Sequence, residues 1–386
     1  MSRSSLALII SLAFLSSTAR AAGVADQLKL SDHIESLRFN GDLRLRYETF
    51  DRKQPDVNDS QRFRYRLRLG MEAALPRQVT AAVRLGAGTG EQFSNNQTLD
   101  NLSSQKSLFV DQAYLRWQPP FLKDGKVWLL GGKAVNQFWR PYSADLIWDD
   151  DFNPEGFQQG VEWHAPGEVT LFFNALQMVA DYDADRYKNQ WLFSEQATAE
   201  VELPWKTKVR SGVAYHKWSD EQLSSFNQVG VNVGNRRAGA APGILANRFG
   251  VGEWTTEFGA KVRDVPVSLQ ATLARNFRAL GNVAGPKARD GHQFGVIVGK
   301  AAEAKTWEVG AFKKYAQMDV TVADVADSDF GEGGTNRVGG IFWAAYAPTG
   351  WSHLRVKYFT TKSIDLNLSP GASGVNRLQL DVQVRF

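Results

Sequence analysis

Residues Gln61 to Leu75 read QRFRYRLRLGMEAAL, and their period decides the fold class. Phe63, Tyr65, Leu67, Leu69, Met71, Ala73 and Leu75 take every second position, with Arg62, Arg64, Arg66, Arg68 and Gly70 between them. Successive side chains of a strand point to opposite faces, so this stretch is a strand with one apolar face and one face carrying four arginines. The last residues repeat the pattern: Leu378, Leu380, Val382, Val384 and Phe386 alternate with Arg377, Gln379, Asp381, Gln383 and Arg385. The same period runs less cleanly through Val79 to Ala87, Val209 to Lys217, Trp254 to Val262, Val267 to Arg275, Phe294 to Lys300 and Leu354 to Thr360. Sixteen such segments begin near residues 38, 61, 78, 107, 126, 157, 168, 191, 206, 250, 266, 292, 306, 337, 351 and 375. Each is about 10 to 13 residues, the length of a tilted strand that crosses a bilayer. Leu108 to Trp117 has no settled phase, because Asp111 falls on its otherwise apolar face.

The connections alternate short and long, which places all seven short turns at one end and eight long loops at the other. Proline cannot donate to a ladder, and all 13 prolines are read as lying in connections. Trp117, Trp128, Trp163, Trp205, Trp307 and Trp351 lie within three residues of a short turn, as an aromatic girdle at one membrane interface requires. An apolar face turned inward would have to fill one core with sixteen long strands. Turned outward into lipid, it leaves a polar lumen, and closure removes the unpaired edges that lipid cannot tolerate. The expected fold is all-β: a 16-stranded antiparallel transmembrane barrel over residues 38–386, with short periplasmic turns and long extracellular loops.

Residues 1–21 read as a secretory signal peptide, since Arg3 precedes an apolar run from Leu6 to Leu15 and Ala19-Arg20-Ala21 fits a cleavage site. Residues 22–37 are then a short periplasmic segment with loosely helical spacing. Removing Arg3 and Arg20 leaves 43 Lys plus Arg against 41 Asp plus Glu, a net charge of +2, which argues against a nucleic-acid partner. The absence of cysteine excludes disulfides, thiolate metal sites and thiol catalysis. A mean hydropathy of −0.34 suits a wall of which one face is wet.

Gly41-Asp42-Leu43-Arg44-Leu45-Arg46-Tyr47-Glu48, Arg62 to Gly70, Arg84-Leu85-Gly86, Asn95 to Leu99, Asp111 to Leu115 and Ile147 to Asp151, with Glu155-Gly156 after it, resemble the putative-porin family of Gram-negative outer membranes. Gly132-Lys133-Ala134-Val135 keeps part of a further motif, in which Gly-Arg or Gly-Lys is followed by Gln or Met. The resemblance covers residues 38 to 160 and implies a 16-stranded, general-porin-like channel in the outer membrane. Alginate-export barrels share the Leu-Arg-Leu-Arg-Tyr-Glu opening. The closing Val384-Arg385-Phe386 resembles the terminal signal that outer-membrane barrels present to the assembly machinery. By analogy with porins the implied surroundings are lipid and lipopolysaccharide, and the implied assembly is a homotrimer.

The candidate lumen residues are Arg44, Arg46, Arg62, Arg64, Arg66, Arg68, Arg84 and Lys133. Neighbouring strands set such rows about 5 Å apart, enough to raise the local concentration of anions or to hold one side of a transverse field. Wall carboxylates such as Asp42 and Glu48 could instead pair with the row and stiffen the barrel. The third long connection, residues 136–156, carries Arg140, Asp145, Asp149, Asp150, Asp151 and Glu155. In general porins the third loop folds into the lumen, which makes this one the expected constriction. Its Trp139, Tyr142, Trp148 and Phe152, with Phe157 just after it, favour packing over free solvation.

Asp181, Asp183 and Asp185 have the spacing of a calcium loop, but Arg186 and Leu192 stand where Gly and Glu should be, and no metal or cofactor is expected. His33, His164, His216, His292 and His353 are dispersed and no nucleotide fingerprint occurs, so the chain does not read as an enzyme. The expected function is passive diffusion of small hydrophilic solutes or ions, favouring anions. The alternatives are a substrate-specific or polysaccharide export channel and, in another class, a secreted all-β binding protein.

Overall fold

Alternation along the wall is what closes this molecule on itself. The computed structural model describes residues 32–54, 57–182, 189–219, 234–238, 244–279, 287–366 and 374–386. Sixteen antiparallel strands form the wall: β1 (Ser36–Arg52), β2 (Ser60–Leu75), β3 (Val79–Ala87), β4 (Leu108–Trp117), β5 (Gly125–Lys133), β6 (Glu155–Ala165), β7 (Val169–Asp181) and β8 (Gln190–Leu203) make the first half. The second half is β9 (Thr207–Trp218), β10 (Gly250–Val262), β11 (Val265–Asn276), β12 (Asp290–Gly299), β13 (Thr306–Ala316), β14 (Arg337–Thr349), β15 (Ser352–Ser363) and β16 (Gly374–Arg385). Every strand begins within two residues of its expected position. β1 pairs with β2 on one side and with β16 on the other, from Asp42↔Arg385 to Arg52↔Val375, so the sheet has no free edge.

Three expectations need correction. The wall begins at Ser36, and residues 32–35 form a turn and bend; residues 1–31, which include the expected signal peptide, lie outside the described residues. Pro266 and Pro348 belong to strand ends instead of turns, Pro348 at a register shift between Tyr346 and Thr349. Trp128 is buried inside the barrel, across from Gly160, whereas Trp117, Trp163, Trp205, Trp307 and Trp351 are exposed near the short turns. An interface belt therefore keeps five of the six expected tryptophans.

The unsettled phase of β4 comes from a β-bulge. Arg84 pairs with Gln112 and Leu85 with Val110, which leaves Asp111 as the extra residue. Both Asp111 and Gln112 are buried inward, and alternation resumes with Ala113, Leu115 and Trp117 outward. A bulge shifts the pleat by one residue, so a strand that looks mis-phased in sequence remains two-faced in space.

The outer surface carries Leu45, Phe63, Leu115, Phe173, Phe193, Val213, Leu269, Phe294, Val356 and Val382, all exposed. That surface is the lipid face. The largest buried apolar cluster among the described residues lies inside the barrel at the end of the long loops. There Ile147, Trp148 and Phe152 of the third long connection meet Val320, Val322 and Val325 of the seventh. Leu176, Leu192, Trp218, Val251 and Ala316 of the wall pack into it.

Candidate functional site

The register of β1, β2 and β16 brings the arginine row together with its counter-charges. Arg44 stands opposite Arg66, Arg46 opposite Arg64, Asp42 opposite Arg68 and Glu48 opposite Arg62. On the other side Arg46 stands opposite Asp381 and Glu48 opposite Gln379. Asp42 accepts from Arg66 at 3.0 Å and from Arg68 at 2.6 Å. Glu48, fully buried, takes Arg62, Arg377 at 2.6 Å and Arg64 at 3.6 Å. Arg46 holds Asp381 through two bonds of 2.7 and 2.9 Å, the bidentate geometry that fixes a guanidinium most firmly. Arg84 pairs with Asp111 on the bulge.

The third long connection, residues 134–154, does fold across the interior. Asp151 reaches Arg66 at 3.4 Å and Arg68 at 3.8 Å. The Asp145 carbonyl accepts from Lys314 on β13 at 2.6 Å, and the Ser143 carbonyl accepts from Gln293 on β12 at 2.6 Å. Asn153 donates to Asp111 at 2.7 Å. Arg140 staples the loop to itself, donating to the Trp148 carbonyl at 3.0 Å and pairing with Asp150 at 3.3 Å. Glu155 lies in β6, outside the loop, and pairs with Lys133 of β5 at 2.5 Å. These two take no part in the cluster around Asp42 and Glu48.

The seventh long connection, residues 317–336, is the part that the sequence did not announce. Its Asp329 joins Arg377 at 2.9 Å and Arg46 at 3.3 Å, and its Asp327 joins Lys314 at 2.8 Å. It is tied to the third connection in both directions. The Ser328 N–H donates to Asp149 at 2.7 Å, and the Asp149 N–H donates to the Val325 carbonyl at 2.9 Å. The run of small and acidic residues from Asp319 to Gly334 resembles a solvated loop in composition. Its one signal of burial is the spacing of Val320, Val322 and Val325.

Burial and charge split the loop carboxyls. Burial pushes Asp145 and Asp149 well above the ordinary carboxylate range, with the neighbouring charges of Asp150 or Asp151 and of Asp327 adding to it. Burial opposes ionisation of Asp151 and Asp329 as well. There the guanidinium groups overcome it, Arg66, Arg44 and Arg68 at Asp151, and Arg377 and Arg46 at Asp329, and both carboxyls lie below the ordinary range.

A cavity of about 1020 Å³ lies between these loops and the wall, lined by Arg44, Arg46, Arg66, Arg68, Tyr142, Asp151, Glu257, Asp329, Arg355, Lys357, Asp381 and their neighbours. The profile of one family, described as putative porin, matches residues 52–235 and 269–386. The chain belongs to the putative-porin family. The match runs to the last residue, well past residue 160, while the opening Gly41 to Glu48 motif lies ahead of it. No curated protein sequence matches the chain. Among solved structures, OprB of Pseudomonas putida, in a high-pH form, is 12% identical over 91% of this chain and 94% of its own, with a TM-score of 0.57. OmpT of Vibrio cholerae, an outer-membrane protein folded in vitro, is 11% identical over 92% of this chain and 100% of its own, with a TM-score of 0.51. At such identity the likeness is one of fold, and the fold is an outer-membrane barrel. This member of the family is a porin channel of the Gram-negative outer membrane.

Proposed function

We propose that this porin is a passive diffusion channel for small hydrophilic solutes that favours anions, through a constriction formed by residues 142–151 against the β1, β2, β15 and β16 wall. The supporting observation is an imbalance of pairing in place of an imbalance of charge. Most of the expected arginines are engaged by wall or loop carboxylates. Arg44, Lys300, Lys357 and Arg385 line the cavity with no carboxylate within 4.0 Å among the described residues. Against them stand Glu257, which among the described residues only Ser268 and Gln270 contact by hydrogen bonds, and Asp145 and Asp149, whose burial favours the neutral acid. Unpaired cations in a narrow, weakly screened passage raise the local anion concentration.

Reversal potentials of single channels in a salt gradient test this. Wild type should prefer chloride to potassium, and Arg44→Gln with Lys357→Gln should lower the anion-to-cation permeability ratio about twofold per charge. A ratio that both substitutions leave unchanged rejects the anion reading. Block of the open channel by a uronate oligomer at low concentration would instead select polysaccharide export. Lipid around the barrel follows from the apolar outer surface; lipopolysaccharide, the assembly machinery at Phe386 and trimerisation belong to this proposal by analogy.

A further inference from the structure

An aromatic and basic step projects into the cavity from two sides. Tyr142, on the third long connection, is 48% exposed. The Arg355 guanidinium carbon lies 5.4 Å from the Tyr142 ring and 5.6 Å from the Trp343 ring, and the two rings are edge-on at 6.3 Å. The parts beneath the exposed ring are held. Trp343 stacks on Phe312 at 5.4 Å, its indole N–H donates to Glu308 at 2.7 Å, and Arg355 reaches the same carboxylate at 3.4 Å. A Cβ at Gly310 would overlap the Trp343 ring, so that glycine is the space the indole occupies. The buried Nε of Arg355, like that of Arg44, has no hydrogen-bond acceptor. Lys357 stands two residues along the same face with no carboxylate partner among the described residues.

A half-exposed ring on a fixed base, in a cavity where Lys357 and Arg44 have no carboxylate partner among the described residues, is complementary to one ligand chemistry: a carboxylate joined to a flat apolar group. The ring supplies a stacking surface, Lys357 and Arg44 supply the counter-charge, and Arg355, shared with Glu308, holds the ring from beneath. We infer that Tyr142, Arg355 and Lys357 form a binding step for small aromatic carboxylates inside the channel. This deepens the anion reading and rests on it, but the ring term is separable from the charge term.

The test is block of chloride current through the full-length porin in planar bilayers by benzoate, acetate and neutral benzamide. Benzoate should reach half-block at a concentration about threefold or more below that of acetate, the effect of one aromatic contact, and benzamide should not block in that range. Tyr142→Leu should raise the benzoate value to that of acetate, while Tyr142→Phe should keep it low. Equal benzoate and acetate values in wild type, block by benzamide as strong as by benzoate, or an unchanged value in Tyr142→Leu each overturn the step. Chloride-over-potassium preference, read in the same bilayers, reports the proposed function separately. Its absence beside selective benzoate block would reject that reading and leave this one standing.

Discussion

Glu48 shows what a single residue does in this wall. Its carboxylate is fully buried and collects Arg62 from β2, Arg377 from β16 and, at longer range, Arg64. Such a carboxylate would be costly alone, and its guanidinium partners would repel one another without it. The pairing with β2 was legible, because Glu48 and Arg62 to Arg68 sit in adjacent strands of one hairpin. The pairing with Arg377 was not, since it joins residues that meet only when the barrel closes. Removing one partner from such a cluster leaves the remaining charges uncompensated, at a cost of about 3 kcal/mol or more. Glu48→Gln should therefore lower the temperature at which the folded, heat-modifiable band disappears on SDS gels. A thermal midpoint equal to that of wild type would contradict the role assigned to Glu48. Arg140→Gln, which loosens a bond internal to one loop, serves as the milder comparison.

At the scale of elements, the strands were readable because lipid on one side and water on the other impose period two over the whole wall. The places where reading stalled are those where a strand serves the interior. β4 lost its phase because the bulge at Asp111 turns two consecutive side chains inward, one of which holds Arg84 and Asn153. Trp128 left the expected belt because an inward ring can lie over Gly160 on the next strand. The long loops obey no period, so the resemblance to general porins could nominate the third, with its aromatics in support, but no rule marked the seventh. That seventh loop carries a testable pH dependence. Asp319 accepts from the Arg236 N–H at 3.1 Å and from Asn247 at 2.7 Å, and burial pushes its carboxyl up to about 6. A carboxyl raised in the folded state stabilises it below the ordinary carboxylate range, and that contribution is lost as pH rises through about 6. Asp145 and Asp149 are shifted in the same direction. Thermal stability should thus rise between pH 7.5 and pH 5, and Asp319→Asn should flatten part of the rise, by about 1 kcal/mol over that interval. A wild-type midpoint that falls over the same interval would refute the assignment.

For the whole molecule, the near-neutral net charge conceals a division of labour between wall and loops. The wall of β1, β2 and β16 is dense in guanidinium groups, and two loops from distant parts of the chain bring Asp151 and Asp329 against it. The two loops brace one another through Asp149, Ser328 and Val325. The cavity is therefore bounded by charges of opposite sign, and under the proposed function their pairing, more than their number, sets what remains for a solute. Removing a loop carboxylate should then act opposite to removing an unpaired wall cation. Asp151 engages Arg66 and Arg68, whose other partner is Asp42, and it lies near Arg44. Asp151→Asn deletes one negative charge from the proposed constriction and leaves these guanidinium groups less compensated. The anion-to-cation permeability ratio should rise about twofold, while Arg44→Gln lowers it. In the double variant the two changes should fall short of adding, because Asp151 and Arg44 act on each other as well as on the ion. Equal shifts in the same direction from both single variants would show that loop position, not charge, governs the permeability ratio. Opposite shifts that add in full would place Asp151 and Arg44 in electrically separate parts of the passage, against the single shared constriction argued from these contacts.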